Sequence, residues 1–400
     1  MPYQRQQLLL VGLFAALVSL KLPGVLNGRL WAEDGLFLLD ALRLPWWQAL
    51  IAPHTGYIDV TASTAFVIAT RLVDLEYVGI ISVVLALFIQ ACPAILIVTS
   101  PCQWLHRRWM VMIALLLVLA PPVAEEVWLS PVTSQYHMII CTGLILAFDI
   151  GRSSVFSNIL LGFAGLTGPG PALLAPLFFL RAYLDRSKRR ALQAAILGTG
   201  ALIEFIVFCT HPEPNRWLTI DLTLLAHVIA VKHLVLPLVG RDITMMINQS
   251  MIWIAVMIPI GIGLTWAVLT SHRREVVWLF ASTVTIMVLS YLGSLGHKAD
   301  LLDVGFGQRY YYAPQVLLGL TLLGLTGNRE PVSRYLAWTL VTWLLAVGAW
   351  QYFRVIPAMA AGPSWYDQIV LWRDRPDRAI YLWPPSVVIP LPVHKYANGN

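Results

Sequence analysis

The residues with the clearest capacity for chemistry are two adjacent acids, Glu33 and Asp34, in the stretch Trp31-Ala32-Glu33-Asp34-Gly35. A carboxylate held beside Trp31, Trp46 and Trp47 loses water, which lifts its pKa toward the range where it can draw a proton from a hydroxyl. An ordinary solvated helix start, favoured by the helix dipole, would account for the same two acids without any reaction. Far along the chain, Arg309-Tyr310-Tyr311-Tyr312 offers a guanidinium able to grip a phosphate through paired hydrogen bonds. An aromatic interfacial belt with one arginine has the same composition. His297, Lys298 and Asp300 stand just before it. Glu125, Glu126, Gln135, Tyr136 and His137 form a third group, two carboxylates and an imidazole among them, with no diagnostic metal spacing. Pro53-His54-Thr55-Gly56-Tyr57 is a turn carrying a titratable ring and a phenol. Glu204 lies inside an apolar stretch, where an ionisable residue marks either function or a structural pair.

The elements that must position these groups are membrane helices. Of 400 residues, 58% are hydrophobic and 12% charged, against about 25% charged in a soluble domain. The fold class expected is an all-α polytopic membrane protein. The net charge of +6 sits mostly in short loops between apolar runs and does not indicate nucleic acid as a partner. Cys92, Cys102, Cys141 and Cys209 lack metal-type spacing and read as small hydrophobes. Residues 1–24 open like a signal peptide but lack a small-residue cleavage site, and so read as a retained first helix.

A bilayer span needs about 20 apolar residues. Spans are expected over residues 8–26, 77–98, 109–123, 136–150, 191–209, 251–270, 276–295, 313–325 and 335–353. Residues 158–176 read as two half-helices meeting at Thr167-Gly168-Pro169-Gly170-Pro171, which gives about eleven crossings. Residues 27–76 form a first outer loop holding two juxtamembrane helices, over 33–43 and 58–72. Residues 211–248 form a long, partly apolar outer segment. Lys21 is expected to snorkel toward the headgroups. With the N-terminus inside, the clusters His106-Arg107-Arg108, Arg186-Ser187-Lys188-Arg189-Arg190 and His272-Arg273-Arg274 all fall on the cytoplasmic side, as the positive-inside rule requires. The chain then divides into a membrane domain, 1–353, and a small extracytoplasmic tail, 354–400. No P-loop, GxGxxG, GxSxG or HExxH occurs, so an activated donor for any outer-face transfer would be membrane-borne.

In order and topology the chain resembles the GT-C superfamily of integral-membrane glycosyltransferases, which use polyprenyl-phosphate-linked sugars. The resemblance rests on Glu33-Asp34 in the first outer loop, the turn Pro53–Tyr57 before a second juxtamembrane helix, Glu125-Glu126, the Gly168-Pro169 break and Arg309-Tyr310. It spans roughly residues 8–350. It implies inverting transfer from a polyprenyl-phosphate sugar to a glycan or lipid acceptor of the cell envelope, on the outer face of a bacterial inner (plasma) membrane. Asp34, or alternatively Glu33, would be the catalytic carboxylate. Arg309, with Lys298, would meet the lipid phosphate. Tyr310, His54, Tyr57, Glu125, Glu126 and His137 would bind substrate. His54 stands where the family often has lysine. The resemblance leaves a divalent metal open and implies no other cofactor. A transporter or lipid flippase, coupling through the break at 167–171 and Glu204, is the competing class.

Overall fold

A computed structural model describes residues 2–22, 28–148, 154–212, 221–292 and 300–391. Most of the described residues between Pro2 and Gln351 are helical. Helix α1 (Pro2–Lys21) precedes the first loop, which carries α2 (Asp34–Arg43), α3 (Trp46–Ile51) and α4 (Val60–Leu72). Then come α5 (Val78–Gln90), α6 (Cys92–Val98), α7 (Arg108–Leu119) and α8 (Ser134–Ala147). The broken region is α9 (Ser154–Gly165), α10 (Pro169–Ala172) and α11 (Ala175–Asp185), followed by α12 (Lys188–Thr210). Helix α13 (Leu222–Ile229) runs through a π-helical turn, Ala230–Val235, into α14 (Leu236–Ile247). Helices α15 (Ile252–Leu269), α16 (Arg274–Leu292), α17 (Gln308–Leu325) and α18 (Pro331–Gln351) complete the bundle.

Among the described residues, six stretches are long and apolar enough to cross a membrane: Leu75–Val98, Lys188–Thr210, Leu222–Ile247, Ile252–Leu269, Arg274–Leu292 and Pro331–Gln351. Val60–Leu72, Arg108–Leu119, Ser134–Ala147 and Val155–Gly165 are apolar but shorter. This is the build of an α-helical multi-pass membrane protein. Helix α8 lies at its centre, with every residue buried, against α6, α16 and α17. Its later part, Met138–Ala147, is apolar save for Thr142, and a stretch apolar all round has to be enclosed in this way.

The basic loops gather at one end of the bundle. Asp185 accepts from Arg181 Nε at 3.1 Å and lies 3.9 Å from Arg190 and 3.8 Å from Arg274, so α12 and α16 start together. Arg190 also donates to the carbonyls of Ile145 and Phe148, and Arg273 to that of Gly324, bringing the last turns of α8 and α17 to the same end. The last turns of α12 and α16 and the first turns of α8 and α17 therefore share the other end.

Leu222–Ile247 has the length and apolarity to cross, and several of its polar contacts lie at that other end. Lys232 Nζ donates to the Asp303 and Phe306 carbonyls, Asn248 to the Leu302 carbonyl at 2.8 Å, and Asp242 pairs with Arg354 at 3.2 Å. The stretch bends at the π turn and at Gly240, whose φ of +75° only glycine adopts readily. Lys21 departs from expectation. It is 3% exposed, its Nζ 4.5 Å from the Tyr352 ring centroid, so a cation–π contact inside the protein replaces snorkelling.

The tail is bound into the first loop. It consists of α19 (Pro357–Ala360), α20 (Trp365–Asp374) and a hairpin of β1 (Ile380–Tyr381) and β2 (Val388–Ile389), with Ile380 opposite Ile389. Trp383 N donates to the Leu30 carbonyl at 2.9 Å and Trp365 Nε1 to that of Leu75 at 2.7 Å. Arg373 grips Glu76 through two nitrogens. The Arg29 guanidinium lies between Trp31 and Trp383, 5.5 and 4.9 Å from their centroids. Leu30, Trp31, Phe37, Trp365, Trp372 and Trp383 thus share one apolar cluster.

Candidate active site

Three distant segments meet at Arg309, in the first turn of α17. Its Nη1 donates to Glu33 Oε1 at 2.7 Å, across 276 residues of sequence. Its Nε lies 3.4 Å from Glu126 Oε1. Glu126 is fixed by its own N–H, which donates to the Gln308 side chain at 2.8 Å. Burial pushes the Glu126 carboxyl up, and the adjacent guanidinium opposes that rise. Arg309 and Glu33 remain about a third exposed (27% and 34%), so the cluster is open to a ligand.

Asp34 does not join this cluster. It is fully buried, with Oδ2 accepting from Trp31 N at 2.8 Å and Oδ1 from Ser130 Oγ at 3.0 Å and Val132 N at 3.2 Å. It ties the first loop to the second. Burial lifts its pKa from 3.8 to about 7, against the pull of those three hydrogen bonds. Helix geometry divides Asp34 from its alternative Glu33: Glu33 precedes α2 with its side chain on Arg309, while Asp34 opens the buried face of the helix.

Beside this cluster is a cleft of about 360 Å³. Tyr57, Tyr136, Tyr310, Gln135 and Glu204 supply its polar surface, and Gly170, Leu173, Phe205, Phe208 and Leu289 its apolar walls. Tyr310 connects the two, since its ring centroid is 5.6 Å from the Arg309 guanidinium. The broken helix shapes one wall. Gly168 N donates to the Ile58 carbonyl at 2.7 Å and Val60 N to that of Leu166 at 2.9 Å. Gly168 has φ +70°, and a Cβ there would meet Gln135 Oε1 at 2.4 Å, so only glycine fits.

The remaining expected residues scatter. His54 Nε2 is 3.0 Å from Asp40 Oδ2, and its ring packs on Phe37, bracing α2 against the turn. His137 is fully buried between Trp128 and Tyr312, with Nε2 3.2 Å from the Tyr312 hydroxyl, so the core takes it up. Glu125 is 1% exposed and lies apart from the Arg309 pair. Burial pushes it up as well. Lys298 lies outside the described residues. Among the described residues no group of three or more His, Cys, Asp or Glu is arranged to hold a metal ion.

Two acids beside the cleft stand out. Asp59 caps α4, its Oδ1 accepting from Ala62 N at 3.0 Å and Thr61 Oγ1 at 2.7 Å. Its Oδ2 is buried without a hydrogen-bond partner among the described residues, and burial lifts its pKa to about 7. The acid-then-Thr helix start was a local signal for the cap, but nothing local indicated the cleft. Glu204 projects from the later turns of α12, with Oε2 accepting from Ile58 N at 3.2 Å. A separate apolar groove of about 490 Å³ runs along α17 from Gln315 to Leu325, between α7, α15 and α18, with His233 at one end.

Compared with protein-family models, with curated proteins and with solved structures, the chain matches none.

Proposed function

We propose that this protein is a membrane glycosyltransferase of the GT-C kind, moving a sugar from a polyprenyl-phosphate donor to a glycan or lipid acceptor of the cell envelope. On this reading the chain makes about eleven crossings with a cytoplasmic N-terminus, in a bacterial inner membrane, and the cleft faces outward. The observation that carries it is the convergence of Glu33, Glu126 and Arg309 at the rim of a tyrosine-lined cleft, at the bundle end opposite the basic loops. Arg309 meets the phosphate of the donor, displacing its carboxylate partners, and stabilises the negative charge that grows as the sugar departs. The acceptor oxygen bonds to the anomeric carbon, the bond from that carbon to the phosphate oxygen breaks, and polyprenyl phosphate leaves with the electron pair. The acceptor proton passes to a carboxylate at the cleft. The apolar groove along α17 suits a hydrocarbon chain, as a lipid-borne donor demands.

The test is transfer in membranes from a panel of polyprenyl-phosphate sugars, by wild type and Arg309→Ala. Transfer that depends on Arg309 is expected. A transporter or flippase draws on Glu204 beside a broken helix, but needs a polar path reachable from both ends. Most of the cleft lining comes from the later turns of α12 and α16 and the first turns of α8 and α17, without a polar path to the basic end among the lining residues.

A further inference from the structure

The carboxyl that lines the cleft is neither of the first-loop acids. Asp34 is closed off by three donors, and Glu33 is held by Arg309. Glu204 borders the cleft directly, 5% exposed, and its Oε1 has no hydrogen-bond partner among the described residues. A buried carboxyl oxygen without a donor carries a large desolvation cost unless a ligand group completes it. The neighbouring backbone fixes its direction: Ile58 N holds Oε2, leaving Oε1 unpaired in the cleft wall among the described residues. Asp59, the next residue after Ile58, also has a carboxyl oxygen that is buried and without a hydrogen-bond partner among the described residues, though it does not line the cleft itself. Gln135, Tyr57 and Tyr136 around the same cavity are groups that hydrogen-bond to hydroxyls.

We infer that Glu204 is the catalytic base of the acceptor subsite, and that the acceptor presents a hydroxyl to Glu204 Oε1 in this cleft. This rests on the transferase reading. The hydroxyl proton moves to Glu204 Oε1 as the acceptor oxygen bonds to the anomeric carbon. The donor phosphate departs with the electron pair on the Arg309 side. The cleft separates the two jobs: a cation by Tyr310 receives the leaving group, and a carboxyl on α12 takes the proton.

The experiment is steady-state transfer by the purified full chain in liposomes, with the polyprenyl-phosphate sugar and acceptor that the wild type uses. Glu204→Gln keeps an oxygen for the Ile58 N–H but cannot take a proton. It should lower kcat about 10²- to 10⁴-fold, the usual worth of a general base, with donor KM unchanged. Glu204→Asp should recover part of kcat. Formate should restore transfer by Glu204→Ala, which a merely structural carboxyl would not allow. Wild-type kcat in Glu204→Gln, or a Glu204→Ala enzyme indifferent to formate, overturns the assignment of Glu204 while the transferase reading stands on Arg309→Ala. No transfer by the wild type from any donor overturns both.

Discussion

Asp34 is the residue on which sequence and geometry part most clearly. Its neighbours in the chain and its desolvation suit a base, yet its two oxygens already serve three donors. Its role is to fasten residues 31–34 to residues 130–132. Asp34→Ala leaves Trp31 N, Ser130 Oγ and Val132 N without their acceptor, and each buried unpaired group costs about 1–3 kcal/mol. A fall in the thermal midpoint in detergent is the expected readout. Asp34 and Asp59 also set a pH dependence. Both hold their proton up to about pH 7 in the fold, against 3.8 ordinarily. The folded state therefore binds more protons than the unfolded state between those limits, and stability falls as pH rises through about 7. The thermal midpoint should be higher at pH 5 than at pH 8. Asp34→Asn together with Asp59→Asn should flatten that slope, and an unchanged slope would refute the burial account of both acids.

At the scale of elements, much was legible and the losses have identifiable causes. Apolar runs located α5–α6, α12, α15, α16 and α18, and the Gly-Pro run 167–171 located the break between α9 and α11, because glycine and proline interrupt helices in any context. The segment 211–248 was read as a long, partly apolar outer segment; its stretch Leu222–Ile247 is long and apolar enough to cross, while Lys232, Asp242 and Asn248 make contacts at the cleft end. What could not be read was depth. His137 and Glu125 look like loop acid–base groups in the chain, and only the packing around α8 shows that they are buried. Nor did the tail carry any sign of its partner. Leu30 and Trp31 pair with Trp383, and Gly28 with Trp365, across more than 330 residues of sequence, and such long-range contacts leave no local pattern. That packing gives a prediction. A Cβ on Gly35 would meet Leu382 Cδ1 at 2.7 Å and Ile389 Cγ2 at 2.9 Å. Gly35→Val should push the hairpin off α2 at about 1–3 kcal/mol, the usual cost of overpacking, and expose the tail to limited proteolysis. A tail as protease-resistant as in wild type would mean that it does not rest on α2.

For the whole molecule, the central feature is polarity from end to end. Basic loops close one end, and the acidic–aromatic cleft with Arg309 occupies the other. Cys209, exposed near the cleft end of α12, and a cysteine placed at Ser271 should therefore react with a membrane-impermeant maleimide from opposite sides of sealed vesicles, in a chain whose other cysteines are replaced. Labelling of both from the same side would dismantle this arrangement. The meeting of the first-loop acids with Arg309 was expected from residue types and loop order, though through Asp34 as much as Glu33 and without Glu126. Glu204 stood out as an ionisable residue in an apolar run, but its place at the cleft was hidden because helix phase decides which side chain faces a cavity. The most direct measurement is sugar transfer from polyprenyl-phosphate donors in liposomes by wild type and Arg309→Ala. Wild-type transfer with kcat lowered about 10²- to 10³-fold in the variant is the predicted result. Transfer at the wild-type rate by Arg309→Ala, or none by the wild type, would contradict it.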